Sequence, residues 1–217
     1  MKLFLSSQDL GNFAADLREL VGVNRKTLVI TNARDYKDPE ARAERVNEKL
    51  NILQQAGFQA QELDLREYFS KDPAELQAFV TDYNPGLIYS IGGNVFLLAT
   101  ALKVSGMDDI LRQRLEEDVT VYAGHSAGAM VAAKDIEVYE RDDLKVQEVG
   151  AYYGMESVTD GLGLTDEYIV PHANRPERKA ITKFYQAQVA KVGAESIALN
   201  DGDVYIVNGN HKTIKRA

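Results

Sequence analysis

Short runs of consecutive apolar residues alternate along the chain with longer segments in which apolar residues recur every three or four positions. The short runs are typical of buried strands and the longer segments of amphipathic helices. The pattern predicts strands at Lys2–Leu5, Thr27–Thr31, Gln59–Leu63, Gly86–Ile91, Val119–Ala123, Ile136–Tyr139, Glu167–Val170, Ser196–Leu199 and Val204–Val207. It predicts helices at Asp9–Leu20, Pro39–Ala56, Pro73–Tyr83, Val95–Glu117 and Arg178–Val192. This alternation predicts an α/β fold with three layers, α/β/α, in which helices cover both faces of a mostly parallel sheet.

The stretch 142–165 interrupts the alternation, because it is irregular and contains glycine. It is either a long active-site loop or a hairpin. The chain has 217 residues, the length of a single α/β domain, and no repeat, linker or low-complexity tract divides it. We therefore predict one domain over residues 1–217.

The composition excludes several classes of function. With 33 acidic and 25 basic side chains, the formal net charge of −8 would repel the phosphates of nucleic acids and anionic membranes. A local basic pocket remains compatible with this charge. The chain has no cysteine, which excludes disulfides, thiolate metal sites and a cysteine nucleophile.

Targeting and cofactor signals are also missing from the sequence. The first apolar run ends at Ser6, too early for a signal peptide, and no stretch approaches the roughly 18 apolar residues of a membrane-spanning helix. We therefore predict a cytoplasmic protein. The histidines are scattered and no phosphate-binding glycine pattern occurs, so we expect neither metal nor cofactor.

One serine has the surroundings of a nucleophile. Ser126 is the centre of Gly124–Gly128, GHSAG, which follows the predicted strand Val119–Ala123 and precedes a helix start at Ala127. Such a strand-to-helix turn exposes the serine, needs small neighbours and directs free N–H groups of the helix at the site. The alternative is that the pattern occurs by chance and the serine is an N-cap.

A serine needs a base, and the chain has three histidines. His125 is adjacent to the serine and is expected to line the pocket or pack beneath the turn. His211 lies in a predicted turn, where a solvated side chain is the default. His172 follows the strand Glu167–Val170, at the edge where open α/β sheets bind ligands. His172 is therefore the predicted base, and a loop histidine with structural hydrogen bonds is the alternative.

A second glycine-containing loop, Gly92-Gly93-Asn94, also lies between a predicted strand and a predicted helix. Its N–H groups could complete an oxyanion hole, because glycine allows close approach of the backbone to a reacting carbonyl. On its own, the loop is better explained as a simple turn.

Together these motifs resemble the serine peptidases of the peptidase E (aspartyl dipeptidase) and cyanophycinase family. The resemblance rests on Gly92–Phe96, on Gly124–Ala129, and on Asp160–Leu164 followed by Pro171-His172, which occur in the order and at the spacing of that family. It implies a class I glutamine-amidotransferase-like (flavodoxin-like) fold with a Ser–His–acid triad.

The resemblance also implies roles for single residues. Ser126 matches the nucleophile, His172 the base, and Gly93 and Ala127 the oxyanion donors. The acid is predicted to be Asp142. Its rivals are Asp143 and Glu140, because the surrounding sequence does not fix the register.

The dipeptidases of this family require a substrate with an N-terminal aspartate, so the predicted partner is a small peptide. Its carboxylate needs a cation, which Arg175 or Arg178 could supply. Both arginines could instead be solvated at a helix start. Asn94 completes the predicted substrate-binding set. Neither nucleic acid nor membrane is an expected partner, and a homodimer stays open.

Other functions share parts of this pattern. A glutaminase of this fold depends on a cysteine, which the chain lacks. An esterase of the α/β-hydrolase type would use a histidine near the end of the chain, here His211. A non-catalytic binding protein could keep the fold with a degenerate pocket.

Overall fold

The computed structural model of the protein describes residues 1–141 and 148–217. The strands in these ranges are β1 (Lys2–Ser6), β2 (Lys26–Ile30), β3 (Gln59–Leu63), β4 (Leu87–Ser90), β5 (Val121–His125), β6 (Tyr168–Val170), β7 (Ser196–Ala198), β8 (Val204–Asn208) and β9 (His211–Lys215). The helices are α1 (Ala14–Val21), α2 (Pro39–Gln55), α3 (Pro73–Tyr83), α4 (Val95–Ser105), α5 (Met107–Glu116), α6 (Ala127–Met130), α7 (Glu148–Tyr153) and α8 (Lys179–Lys191). None of these helices combines the length and the apolar character needed to cross a membrane.

The strands form two sheets. Seven of them make one sheet in the order β3-β2-β4-β5-β1-β8-β9. The pairs from β3 to β1 are parallel, whereas β8 and β9 are added antiparallel. The strands β6 and β7 pair in parallel as a separate two-stranded sheet. The mostly parallel sheet follows from the helices that connect successive strands.

Apolar side chains of the central strands are divided between the two faces of the large sheet. Leu3 and Leu5 of β1 belong to a core that includes α3, α4 and α5, whereas Phe4 packs with Leu17 of α1 and Leu53 of α2. This division follows from the alternation of side chains along a strand. Helices therefore cover both faces, and the predicted α/β/α fold is confirmed.

The long predicted helix Val95–Glu117 is wrong in one respect, because the structure has two helices in this segment. Gly106 separates α4 from α5 and has a φ of 77°. Glycine adopts this left-handed conformation without steric cost and commonly ends helices in this way. The apolar period continues across the break because both helices bury one side against the same core.

In the second half of the chain one predicted strand is also wrong, and one strand of the structure was not predicted. The predicted strand Ile136–Tyr139 is instead a 3₁₀ turn at Glu137–Tyr139, whose apolar residues are buried without a strand partner. The turn predicted at Asn208–His211 is confirmed, and the segment His211–Lys215 that follows it forms the edge strand β9, which was not predicted. Its side chains are mostly exposed, so its sequence has no apolar signal for a strand.

Candidate active site

Ser126 lies at a sharp turn between β5 and α6. Its φ of 51° and ψ of −113° are uncommon for a residue other than glycine and indicate strain. The turn is held by a 3.1 Å hydrogen bond from the Ser126 N–H to the carbonyl of Ser6. Ser126 occupies the N-cap position, but its side chain makes no capping hydrogen bond. An N-cap role therefore does not explain this serine.

The glycines on either side of Ser126 are required by close backbone packing. A Cβ added to Gly128 would lie 2.2 Å from the carbonyl oxygen of Ser90, and one added to Gly124 would lie 2.3 Å from the carbonyl oxygen of Gly128. No side chain fits at such distances. The small residues of GHSAG thus allow β4, β5 and α6 to approach each other around the serine.

His172 connects Ser126 to a carboxylate. Its Nε2 lies 3.1 Å from the Oγ of Ser126, and its Nδ1 lies 2.6 Å from Oδ1 of Asp201. A proton on Nδ1 is donated to the carboxylate and leaves Nε2 free to accept from the serine hydroxyl. In this arrangement a histidine can remove the proton of a serine nucleophile.

The small sheet brings His172 and Asp201 together. His172 follows β6 and Asp201 follows β7, and these strands are parallel neighbours, so their carboxyl ends meet at one edge. Ser7 lies directly after β1 of the large sheet. Its hydroxyl accepts a hydrogen bond from the backbone N–H of His172 at 2.7 Å and donates one to Oδ1 of Asp201 at 2.9 Å. Ser7 therefore links the two sheets at the site.

The charges around His172 favour its neutral form. Burial lowers the pKa of His172, and the cations Arg175 and Arg178 lower it further, against the opposing effect of the Asp201 hydrogen bond. Burial alone would raise the pKa of Asp201. Hydrogen bonds from His172, Arg175 and Ser7 outweigh that effect and lower it. At neutral pH the site therefore holds a neutral imidazole and a carboxylate.

His125 is buried beneath the turn, which is one of the two positions predicted for it. Its Nδ1 lies 2.8 Å from the hydroxyl of Tyr89, which itself donates to the carbonyl of Asp9 at 3.0 Å. The Nδ1 of His125 is therefore the donor to Tyr89, and its Nε2 accepts from the N–H of Gly92 at 3.0 Å. Burial lowers the pKa of His125 to about 3, which keeps this ring neutral.

The predicted oxyanion donors Gly93 and Ala127 lie on two different elements. Gly93 follows Gly92, where an added Cβ would lie 2.9 Å from the Cβ of Ser126. Ala127 is the first residue of α6, so its N–H has no partner within the helix. In the part of the chain that the structure describes, neither N–H is paired with a protein acceptor. Free N–H groups beside a nucleophile are what an oxyanion hole requires.

The predicted acid, Asp142, and its rival Asp143 lie outside the described residues. The carboxylate on Nδ1 of His172 belongs to Asp201, which the sequence analysis did not consider. Asp201 was hidden because Asn200-Asp201-Gly202 reads as an ordinary turn between two strands. Its position directly after a predicted strand, which singled out His172, was the signal that could have identified it.

The three predicted substrate-binding residues lie in different environments. Asn94 caps α4, because its Oδ1 accepts from two N–H groups of that helix. Arg175 donates from Nε to Asp201 at 2.5 Å and from Nη2 to Gln8 at 2.8 Å. Arg178 is half-buried just before α8, and among residues 1–141 and 148–217 no carboxylate forms an ion pair with it. Arg178 is thus the cation of this set that is available to an anion.

The alternative base His211 is exposed in β9, which β8 and β1 separate from β5. Its strand partner is Asn208. This position gives no support to an esterase that uses His211.

Comparison of the sequence with known families agrees with the geometry. Residues 4–215 match peptidase family S51. The chain belongs to peptidase family S51. This assignment confirms the resemblance predicted from the three motifs.

The S51 peptidase is 30% identical over 175 residues to an uncharacterised peptidase from Pasteurella multocida (strain Pm70), covering 77% of the chain and 78% of that relative. It is 30% identical over 135 residues to an uncharacterised peptidase from Listeria innocua serovar 6a, covering 58% of the chain and 61% of that relative.

Solved structures share the fold of this S51 peptidase. A candidate peptidase E protein from Listeria monocytogenes EGD-e superposes with a TM-score of 0.75 at 21% identity. The match covers 100% of the S51 peptidase and 98% of the Listeria protein. A peptidase from an acI-B1 Actinobacterium gives a TM-score of 0.71 at 20% identity, covering 100% of the chain and 87% of its own. The predicted class I glutamine-amidotransferase-like fold is therefore confirmed. Membership of family S51 identifies the protein as a serine-type peptidase, as predicted.

Proposed function

We propose that this serine peptidase uses Ser126 as nucleophile, His172 as general base and Asp201 as the acid of a catalytic triad. The observation that carries this proposal is the continuous chain of hydrogen bonds from Ser126 Oγ through both nitrogens of His172 to Asp201. Asp201 replaces the acid predicted from the sequence, because its carboxylate already holds the imidazole by Nδ1.

The chemistry follows from these positions. His172 Nε2 takes the hydroxyl proton while the Oγ of Ser126 bonds to the scissile carbonyl carbon, which forms a tetrahedral oxyanion. The imidazolium then donates that proton to the leaving nitrogen, the C–N bond breaks, and an acyl-enzyme remains. A water molecule, deprotonated by His172, attacks the ester carbonyl and releases Ser126. Asp201 keeps the proton on Nδ1 and stabilises the imidazolium.

Gly93 and Ala127 are the proposed donors to the oxyanion. Both have N–H groups without a protein acceptor among the described residues. Ala127 follows Ser126 directly, and Gly93 follows Gly92, which packs against Ser126. Removing one such donor in a serine peptidase costs about 10²–10³ in kcat.

The proposed substrates are short peptides with an acidic first residue, and Arg178 is the proposed partner of their carboxylate. Arg178 lies close enough to His172 to lower its pKa, so its charge reaches the reacting groups. The protein as a whole has a net charge of −8, which makes a local cation necessary for an anionic substrate. Arg175 is less suited, because Asp201 and Gln8 already occupy its donors.

Labelling with a fluorophosphonate tests the nucleophile. Intact mass spectrometry should show one adduct on the wild type and none on Ser126→Ala. Turnover in His172→Ala should fall by several orders of magnitude with little change in melting temperature. Full labelling of Ser126→Ala would contradict the proposal.

A dipeptide panel tests the substrate. The wild type should cleave Asp-Leu faster than Asn-Leu and Ala-Leu. Arg178→Ala should raise the KM for Asp-Leu and leave the KM for Ala-Leu unchanged. Lys179→Ala, which removes a neighbouring exposed cation, is the matched control. Equal rates on the three dipeptides would reject the acidic preference and leave the peptidase assignment intact.

A further inference from the structure

The Gly92–Gly93 loop connects β4 to α4, and hydrogen bonds hold its backbone before and after the Gly93 N–H. The Gly92 N–H donates to His125, and the Gly92 carbonyl accepts from Nε of Arg34 at 2.6 Å. The N–H of Asn94 donates to the carbonyl of Ala33 at 2.8 Å. Between these bonds lies the N–H of Gly93, without a protein acceptor in the described ranges.

The bond from Arg34 sets the direction of the Gly93 N–H. In a trans peptide the carbonyl and the following N–H point in opposite directions. A Gly92 carbonyl held at Arg34 therefore turns the Gly93 N–H away from Arg34. Two successive glycines have no side chains to resist rotation of the peptide between them. A rotated peptide would present a carbonyl oxygen in place of the donor, and that oxygen would repel an oxyanion.

His125 holds the preceding N–H of the same loop. Its Nε2 is an acceptor only while it is unprotonated, and the proton is kept on Nδ1 by Tyr89, whose hydroxyl is committed to Asp9. His125 is 5% exposed, and its burial maintains the neutral ring. The acceptor for Gly92 therefore persists over the working pH range of a peptidase.

We propose that Arg34 and His125 are positioning residues that hold the Gly92–Gly93 peptide with its N–H directed at the oxyanion formed at Ser126. This inference rests on the proposed oxyanion role of Gly93. Arg34 acts through the Gly92 carbonyl and His125 through the Gly92 N–H.

A direct contact between Arg34 and the substrate is the rival explanation. Arg34 also lines a cavity of about 310 Å³ together with the cations Lys37 and Arg45 and the carboxylates Glu44 and Glu48. The cations of this cavity could contact a substrate carboxylate. The two roles differ in kinetics. A positioning residue changes the transition state for every substrate, whereas a carboxylate contact changes KM for acidic substrates alone.

The test compares Arg34→Ala, Arg34→Gln and Arg45→Ala on dipeptides with an acidic and a neutral first residue. Arg34→Ala should lower kcat by about 10- to 100-fold on both substrates, with KM within about twofold, since loss of a donor itself costs about 10²–10³. Arg34→Gln keeps an N–H donor without the charge and should recover part of the loss. Arg45→Ala removes a cation from the same cavity without a bond to Gly92 and should leave kcat unchanged.

A peptide boronic acid, which forms a tetrahedral adduct on the serine, gives a second measurement. Its affinity should fall in Arg34→Ala by the same factor as kcat. His125→Gln, which keeps a side-chain acceptor, should retain more activity than His125→Ala at equal thermal stability. A loss confined to KM on acidic substrates, or a kcat of Arg34→Ala within twofold of wild type, would overturn the inference.

Fluorophosphonate labelling separates this failure from failure of the proposed function. Labelling of Ser126 in both wild type and Arg34→Ala, with an unchanged kcat in the variant, rejects the role of Arg34 alone. No labelling of the wild type rejects the proposed triad and the inference with it.

Discussion

The imidazole of His172 and the carboxylate of Asp201 are joined by a 2.6 Å hydrogen bond, although 28 residues separate them in the sequence, because they follow adjacent parallel strands. The bond fixes which ring nitrogen carries the proton. It also places a negative charge beside the ring that is protonated in the proposed mechanism.

Asp201→Asn should lower kcat by about 10³–10⁴ while the fold is retained. Asparagine has nearly the same shape, but it removes the charge and allows the imidazole to adopt the wrong tautomer. Steady-state kinetics with circular dichroism measures both effects. Asp142→Asn, at the acid predicted from the sequence, is the comparison. A larger loss at Asp142 than at Asp201 would refute the triad proposed here.

The activity should rise with pH below neutrality. Catalysis needs neutral His172, and its pKa is lowered from the usual 6.5, so the inflection in kcat/KM should lie below pH 6.5. Arg175→Gln removes a cation that lowers this pKa, so the inflection should move to higher pH. Arg18→Gln makes the same charge change on α1 and should not move it. An unchanged profile in Arg175→Gln would contradict the assignment.

Ser126→Gly should be more stable than Ser126→Ala by about 1 kcal/mol, because glycine tolerates the φ of 51°. Both variants should be inactive. Urea denaturation gives the two free energies of unfolding. Ser70 has no positive φ and provides the reverse control. There Ser70→Gly should be less stable than Ser70→Ala. Equal stability of the two Ser126 variants would show that the turn stores no strain.

Gly128→Ala should destabilise the protein by about 1–3 kcal/mol and lower kcat, because its Cβ would lie 2.2 Å from the backbone of Ser90. The expected shift of α6 displaces the serine turn. Gly193→Ala also adds a methyl group at a glycine, one with a φ of 72° and nothing within 4 Å of the new atom. Gly193→Ala should lower the melting temperature and leave kcat unchanged. Wild-type turnover in Gly128→Ala would contradict this account of the glycine motif.

The sequence could predict elements whose signals are local. The bounds of β3 and α3 agree with the predictions. The start of α3 has a clear local signal, because Asp72 is its N-cap and Pro73 its first residue. The serine turn was predictable for the same reason. Its glycines, its strand and its helix are adjacent in the chain.

The position of Asp201 after a predicted strand made it a possible acid, but its contact with His172 has no local signal. Asp201 reaches His172 only because β7 pairs with β6, and a contact between distant segments has no local pattern. The edge strand β9 was missed for a related reason, since it is held by pairing with β8 while most of its side chains face solvent.

The division of the site between two sheets has a consequence for biosynthesis. Ser126 is translated well before His172, and Asp201 is translated later still. A nascent chain that has folded only its first strands therefore presents a serine with no base, and its hydroxyl is as unreactive as any other. Ser7 can align the base and the acid only after β6 and β7 have docked. The proposed triad is therefore complete only after the chain has been translated past Asp201 and the two strands of the small sheet have paired.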